Sequence, residues 1–238
     1  IVHGIPEEDV PMGAACVAMV EAAASGVACS TDPNRPRGTS LLINSAWGLG
    51  IGTVGGSVSP DLWEVTKAAP HRILKRRAGS KETRVLSSPA GGVETVPVPR
   101  DKCSAFSLED GQVAELARLV CACEAHYGRP QEVEWALDAA GRFFVLQSRP
   151  LTTSDREGAA EEPPPELEGH GLLLQGTPAS AGSGAGPVFP VLQLQDLESF
   201  PQGAVLVARH SSPQFVKVMR RAAAIVTDIG ATTGHMAS

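Results

Sequence analysis

Apolar and polar positions alternate over short spans through most of the first 150 residues, and one long stretch follows a helical period instead. Val10 to Val20 is an apolar run with small residues, which predicts a buried strand that turns at Ala24-Ser25-Gly26. Gly26 to Ser30 predicts a second short strand and Ser40 to Ala46 a third, separated by the turn cluster Asp32-Pro33-Asn34-Arg35-Pro36. Short turns between successive strands favour antiparallel pairing. Leu62 to Thr66, Ile73 to Arg77 and Thr83 to Leu86 predict further strands, and residues 88–102, rich in Pro, Gly and Val, predict a loop along the sheet edge. From Leu108 to Tyr127 the period changes: Val113, Leu116, Val120, Cys123 and Tyr127 form one helical stripe. Ser107 is the predicted N-cap, with Asp110 three residues on; Gly128 and Pro130 end the helix. Glu132 to Leu137 and Arg142 to Gln147 then alternate on either side of Asp138-Ala139-Ala140-Gly141, a hairpin pattern.

The pattern breaks at residues 152–170, where three consecutive prolines and six acidic residues leave nothing to pack. This is a solvated, semi-stiff linker that spans up to roughly 65 Å when extended. Beyond it, Leu172 to Gln175 predicts a strand, Gly176 to Gly186 a loop, and Pro187 to Leu192 and Gly203 to Ala208 two more strands. A helix starts at Ser211-Ser212-Pro213 and runs to about Arg221. Ala222 to Val226 predicts a last buried strand, followed by Thr227-Asp228 and the Gly/Thr loop Gly230 to Gly234. The expected class is α+β / α/β, with residues 1–151, a linker at 152–170, and a smaller unit at 171–238.

Composition adds limits. Hydrophobic content of 42% and charged content of 19% are ordinary for a globular chain. The net charge of -6 and the lack of a basic stripe argue against nucleic acid as a partner. No apolar run approaches the ~18 residues of a membrane span, and no signal-peptide pattern follows Ile1, so a cytoplasmic, soluble protein is expected. The five cysteines, Cys16, Cys29, Cys103, Cys121 and Cys123, contain no CxxC pair and predict reduced thiols. The absent initiator Met and the abrupt end at Ser238 suggest a fragment of a longer protein.

Two places carry chemistry. Gln147 and Arg149 are two apart on a strand and share a face; the hairpin brings Glu134 opposite Gln147. A carboxylate beside an amide oxygen is a hard oxygen pair suited to Mg²⁺, and an adjacent guanidinium grips phosphate oxygens. The same spacing also fits the polar face of a half-exposed sheet. The second place is His235, at the end of a Gly/Thr loop, where a helix N-terminus would favour an anion beside the imidazole. A lone histidine also fits a structural role, and His3, His71, His126, His170 and His210 are read that way. The Gly176 to Gly186 loop lacks the glycine order of a phosphate-binding fingerprint.

Segments across the chain carry a resemblance. GVACSTDP (26–33), LLINSAWGLG (41–50), EAHYGRPQEVEWA (124–136) and FVLQSRPLTT (144–153) are similar to the carboxyl-terminal lobe of the ATP-grasp domain of phosphoenolpyruvate synthases and pyruvate phosphate dikinases. GTPASAGSGAGPV (176–188), GAVLVARHSSPQF (203–215) and AAIVTDIGATTGHMAS (223–238) resemble the swivelling phosphohistidine domain of the same enzymes. The resemblance implies a partial ATP-grasp lobe, mostly antiparallel sheet with packed helices, joined to a truncated phosphohistidine domain. It implies transfer of a phosphoryl group from ATP, with Mg²⁺, to a histidine on the mobile domain and then to an acceptor, pyruvate in the namesake enzymes. By motif position Glu134 and Gln147 would be Mg²⁺/ATP ligands, Arg149 a phosphate contact and His235 the carrier.

Two departures stand out. Family members commonly have Glu after the GLG, where Ile51 stands here, and Ser before the carrier histidine, where Gly234 stands. The basic amino-terminal lobe, the carboxyl half of the carrier domain and any acceptor domain are not in this sequence. Expected alternatives are a different acceptor, such as a rifamycin or a glucan, or a non-catalytic nucleotide-binding paralogue. The cut after Ser238 predicts an inactive fragment in which His235 is poorly ordered and unphosphorylated.

Overall fold

The structure is a computed structural model and describes residues 16–33, 35–55, 58–151, 171–176, 178–179 and 182–230. Its first part holds eight strands: β1 (Ala22–Cys29), β2 (Ser40–Trp47), β3 (Asp61–Thr66), β4 (Ile73–Arg77), β5 (Thr83–Ser87), β6 (Val93–Pro97), β7 (Gln131–Asp138) and β8 (Phe143–Pro150). Three helices lie between them, α1 (Ile51–Val54), α2 (Arg100–Cys103) and α3 (Asp110–Tyr127). Six strands form one sheet in the order β4-β3-β2-β1-β7-β8, antiparallel throughout, as the short turns predict. β5 and β6 pair as a separate hairpin.

Helix α3 lies across one face of the six-stranded sheet. Its Val113, Leu116, Ala117 and Val120 bury against Ala24, Ala28, Leu41, Ile43, Trp63, Val65, Val133, Trp135 and Leu137. These are every second residue of their strands, so the alternation seen in sequence is the alternation between helix-covered and open faces. Trp63 and Trp135, both essentially inaccessible, dominate this core; burial of such side chains is the largest favourable term in the fold. Gly26 sits under the helix where a Cβ would come within 1.9 Å of the Asn44 carbonyl oxygen, so only glycine lets β1 and β2 approach there.

The start of α3 is pinned by a buried polar cluster rather than by the predicted cap. Ser107 donates through its backbone N–H and its hydroxyl to Asp61 Oδ2, at 2.8 and 2.7 Å, and sits 2.8 Å from Ser45 Oγ. The cap is Glu109, whose N–H donates to Gln112 Oε1 at 2.9 Å. Asp61 Oδ1 accepts the Gly79 N–H at 2.9 Å and pairs with Lys81; both charged side chains are fully buried. Gly128 ends α3 in the left-handed conformation, φ 66°, as predicted.

Other predictions need correction. Of the strand predicted over Val10 to Val20, residues 10–15 lie outside the described residues and 16–20 form no strand; the first strand among the described residues is Ala22–Cys29. Residues 88–102 contain β6 and the start of α2 instead of a loop. The α3 stripe stops short: Tyr127 is exposed, and Ala117 takes a place in the core. Leu172 to Gln175 is not a strand; Leu172, Leu173 and Leu174 are all exposed.

The second part holds β9 (Val188–Val191), β10 (Val205–His210), β11 (Ala224–Ile229) and the short helix α4 (Val216–Met219), preceded by a 3₁₀ turn at Pro213–Phe215. The three strands are parallel, in the order β11-β10-β9. Val191, Leu197, Phe200, Ala204, Leu206, Ala208, Phe215 and Val218 form a core of their own. The chain is thus α+β, with an antiparallel main sheet and a small parallel one.

Candidate functional site

Because Val133, Trp135 and Leu137 of β7 face α3, Glu132, Glu134 and Ala136 face the open side of the sheet. Across β8, Glu134 lies directly opposite Gln147, and Glu132 opposite Arg149. On the other side, Glu134 is opposite Val27 and Glu132 opposite Cys29, with Asn44 and Leu42 one strand further. The open face therefore carries two rows of side chains across four strands, Gln147-Glu134-Val27-Asn44 and Arg149-Glu132-Cys29-Leu42.

A β-bulge decides that Gln147 and Arg149 belong to this face. The register shifts between Glu134 and Trp135, so that Trp135 pairs with Val145 and Leu146 is the extra residue of β8. Without it Phe143, Val145, Gln147 and Arg149 would share one face. With it Phe143 packs on the α3 core while Gln147 and Arg149 turn to the open side.

Among the described residues neither the Glu134 carboxylate nor the Gln147 amide has a hydrogen bond or an ion pair inside the chain. Their side chains therefore present free oxygen ligands at directly opposite positions, about 4.5–5.5 Å apart at Cβ. Such a pair fits Mg²⁺, which takes one or two protein oxygens and completes its shell with water and phosphate. Among the described residues no group of three or more His, Cys, Asp or Glu side chains gathers into a metal centre.

Arg149 is held rather than loose. Its Nε donates to Glu132 Oε1 at 2.9 Å, and its Nη2 pairs with the same oxygen. Glu132 is buried. Period-two spacing from Glu134 already placed it on this face, but its role was not assigned from sequence. Beside it the Cys29 thiol is inaccessible, and its pKa is pushed far up by burial, with the Glu132 and Asp32 carboxylates adding to the effect. Beyond Leu42, Glu64 accepts from Ser40 at 3.0 Å and from Arg35 at 3.2 Å, and Arg35 also pairs with Asp32 at 3.0 Å. Charged groups close that end of the face.

The Trp47-Gly48-Leu49-Gly50 loop borders the other end. Ser25, on the open face, donates to the Gly48 carbonyl at 2.6 Å, and the Leu49 N–H donates to the Val85 carbonyl at 2.8 Å. Ala22, Leu49, Val85 and Ala136 pack together there. Ile51, the departure noted after the GLG, begins α1 and is exposed. His235 lies outside the described residues, and so does the expectation about its order.

Comparison with known proteins extends this geometry. Residues 2–169 match the family described as pyruvate phosphate dikinase, AMP/ATP-binding domain. Residues 200–238 match the PEP-utilising enzyme, mobile domain. The chain belongs to the phosphoenolpyruvate synthase and pyruvate phosphate dikinase family. It is 36% identical over 242 residues to a phosphoenolpyruvate synthase of Pyrococcus furiosus, covering 99% of this chain and 29% of that protein. It is 37% identical over 243 residues to one of Deinococcus radiodurans, covering 99% of this chain and 31% of that protein. With one of Escherichia coli the identity is 34% over 246 residues, covering 99% and 31%. The chain thus spans about 30% of the length of these curated relatives. The antiparallel sheet with its packed helix accords with a partial ATP-grasp lobe. No helix among the described residues is long and apolar enough to cross a membrane.

Proposed function

We propose that this chain supplies the nucleotide-side lobe and the start of the phosphohistidine carrier of an ATP-dependent dikinase, acting within a longer protein. The division is residues 1–151 as the nucleotide lobe, 152–170 as a linker and 171–238 as the carrier. The observation that carries the reading is the Glu134–Gln147 pair, two unpartnered oxygen ligands facing each other on the open face. Mg²⁺ held there would neutralise charge on the phosphates of bound ATP. Glu134 and Gln147 orient the triphosphate; Arg149, fixed by Glu132, donates to a phosphoryl oxygen. The His235 imidazole nitrogen attacks a phosphorus of ATP as the P–O bond to the departing nucleotide breaks, and the ring loses its proton. The linker keeps the carrier at high effective concentration near both sites without fixing its pose. The relatives named phosphoenolpyruvate synthase favour pyruvate as the acceptor and a cytoplasmic setting with ATP at hand. A rifamycin-type or other acceptor is the alternative.

Glu134→Gln in the longer protein tests the site. Phosphorylation from Mg·ATP is expected to fall by about a hundredfold, as for loss of one transition-state charge contact; an unchanged rate removes Glu134 from the mechanism. One observation favours a second reading. The exposed apolar Ile51 beside the open face suits a paralogue that binds nucleotide without catalysis, or does not bind it. Calorimetry with Mg·ATP on the longer protein, with an assay for phosphoryl transfer beside it, separates them: binding with transfer supports the dikinase, and absence of binding, or binding without transfer, supports the paralogue.

A further inference from the structure

His210 ends β10 and lies in register with Ile229, the last residue of β11, so both strands open at the carboxyl edge of the small parallel sheet. Ligands of open parallel sheets bind outside that edge. The chain leaves β11 there through Gly230, and a Cβ on Gly230 would stand 3.2 Å from Thr227 Oγ1 and 3.8 Å from Ser211 Oγ. Gly230 thus lies close to the hydroxyls of Thr227 and of Ser211, the residue that follows His210. His235 follows Gly230 by five residues, within roughly 18 Å of extended chain. His210 itself is half-buried. Its Nδ1 is sealed from solvent and has no hydrogen-bond partner, whereas its Nε2 is not sealed.

That asymmetry sets the tautomer. A proton on Nδ1 would bury an N–H without an acceptor, the costlier of the two orphan states. The neutral ring therefore keeps its proton on Nε2, the edge open to solvent, and which nitrogen carries the proton is governed by what the other meets. Among the described residues nothing uses this donor, and a buried unpaired Nδ1 in a native protein calls for a reason.

We propose that His210 is a positioning residue whose Nε2–H donates to an oxygen of a phosphoryl group presented at the carboxyl edge of the β10–β11 pair, with Ser211 and Thr227 flanking it. Naming the anion as phosphoryl rests on the carrier reading of His235.

The test is a titration of the ¹⁵N-labelled chain with inorganic phosphate at constant ionic strength, with chloride as control. The expected result is a His210 ring protonated on Nε2 in the neutral form, whose Nε2 resonance moves saturably with phosphate and not with chloride. Phosphate affinity, read from the Ser211 and Gly230 amides, should fall about tenfold in His210→Ala and His210→Asn. It should return to within about threefold of the original in His210→Gln, whose amide nitrogen reaches the Nε2 position. A ring protonated on Nδ1, no response to phosphate, or an Asn variant that binds as well as the Gln variant overturns the proposal. The two readings fail separately. A phosphate-responsive His210 in a longer protein that never labels at His235 supports the site and removes the carrier; labelling at His235 with a silent His210 does the reverse.

Discussion

Asp61 and Lys81 are an ion pair with no solvent contact, and Asp61 also accepts from Gly79 and twice from Ser107. Removing one charge strands the other, which costs about 3–5 kcal/mol. Lys81→Met should lower the urea unfolding free energy by that amount, and the double change Asp61→Leu with Lys81→Met by clearly less. Equal losses in the two would mean that the pair acts only through packing. Cys29 offers a chemical check. Its raised thiol pKa and zero exposure predict no alkylation by iodoacetamide at pH 8 in the native state, while the exposed Cys16 reacts. Two carboxylates give the acid limb. Hydrogen bonds from the backbone of Arg142 first, and also from its guanidinium and the Ala140 N–H, hold Asp138 below its ordinary 3.8. The Gln193 and Leu192 N–H groups do the same for Asp196. With folded values depressed, the folded state binds these protons less readily than the unfolded chain. Their stabilisation is therefore complete above pH 3.8 and drains away as pH falls below it, through the folded values. Asp138→Asn should flatten that part of the unfolding midpoint against pH, measured from pH 5 to pH 2.

At the scale of elements, the contact between β1 and β2 rests on Gly26. A methyl there meets the Asn44 carbonyl, so Gly26→Ala should cost about 1–3 kcal/mol of stability in urea unfolding, the usual range for overpacking. The same scale shows why some of the molecule was legible in the sequence and some not. β2, β3 and the β7–β8 hairpin follow from alternation, because each buries one face under α3; β4 and β5 alternate only weakly, and β4 is exposed beyond Ile73. That the hairpin brings Glu134 close to Gln147 also followed, though their direct opposition is set by the bulge. The bulge at Leu146 did not, because an extra residue leaves no mark in a run as apolar as Phe143 to Leu146. Nor did the pairing of Glu132 with Arg149, whose register also depends on the bulge, or that of Asp61 with Lys81, which sit on separate segments of the chain. Ser107 looked like a helix cap since Ser is a common one; a buried carboxylate 46 positions away competed for it and won. Leu172 to Gln175 reads as a strand by composition, but pairing decides strands, and among the described residues it has no partner.

At the scale of the whole molecule, two cores with no shared residue are built on an antiparallel and a parallel sheet. The acidic, proline-rich stretch lies between them in sequence. That arrangement suits the proposed division of labour, with one part holding the nucleotide and another carrying the phosphoryl group. One family match covers residues 2–169, most of the acidic stretch included, and the other covers residues 200–238. The central claim, that phosphoryl passes from ATP to His235, is tested most directly by incubating the longer protein with β- and γ-labelled ATP and mapping the label. An acid-labile label on the His235 peptide, lost in His235→Ala together with turnover, is the predicted result. Label absent from His235, or turnover retained by His235→Ala, contradicts it.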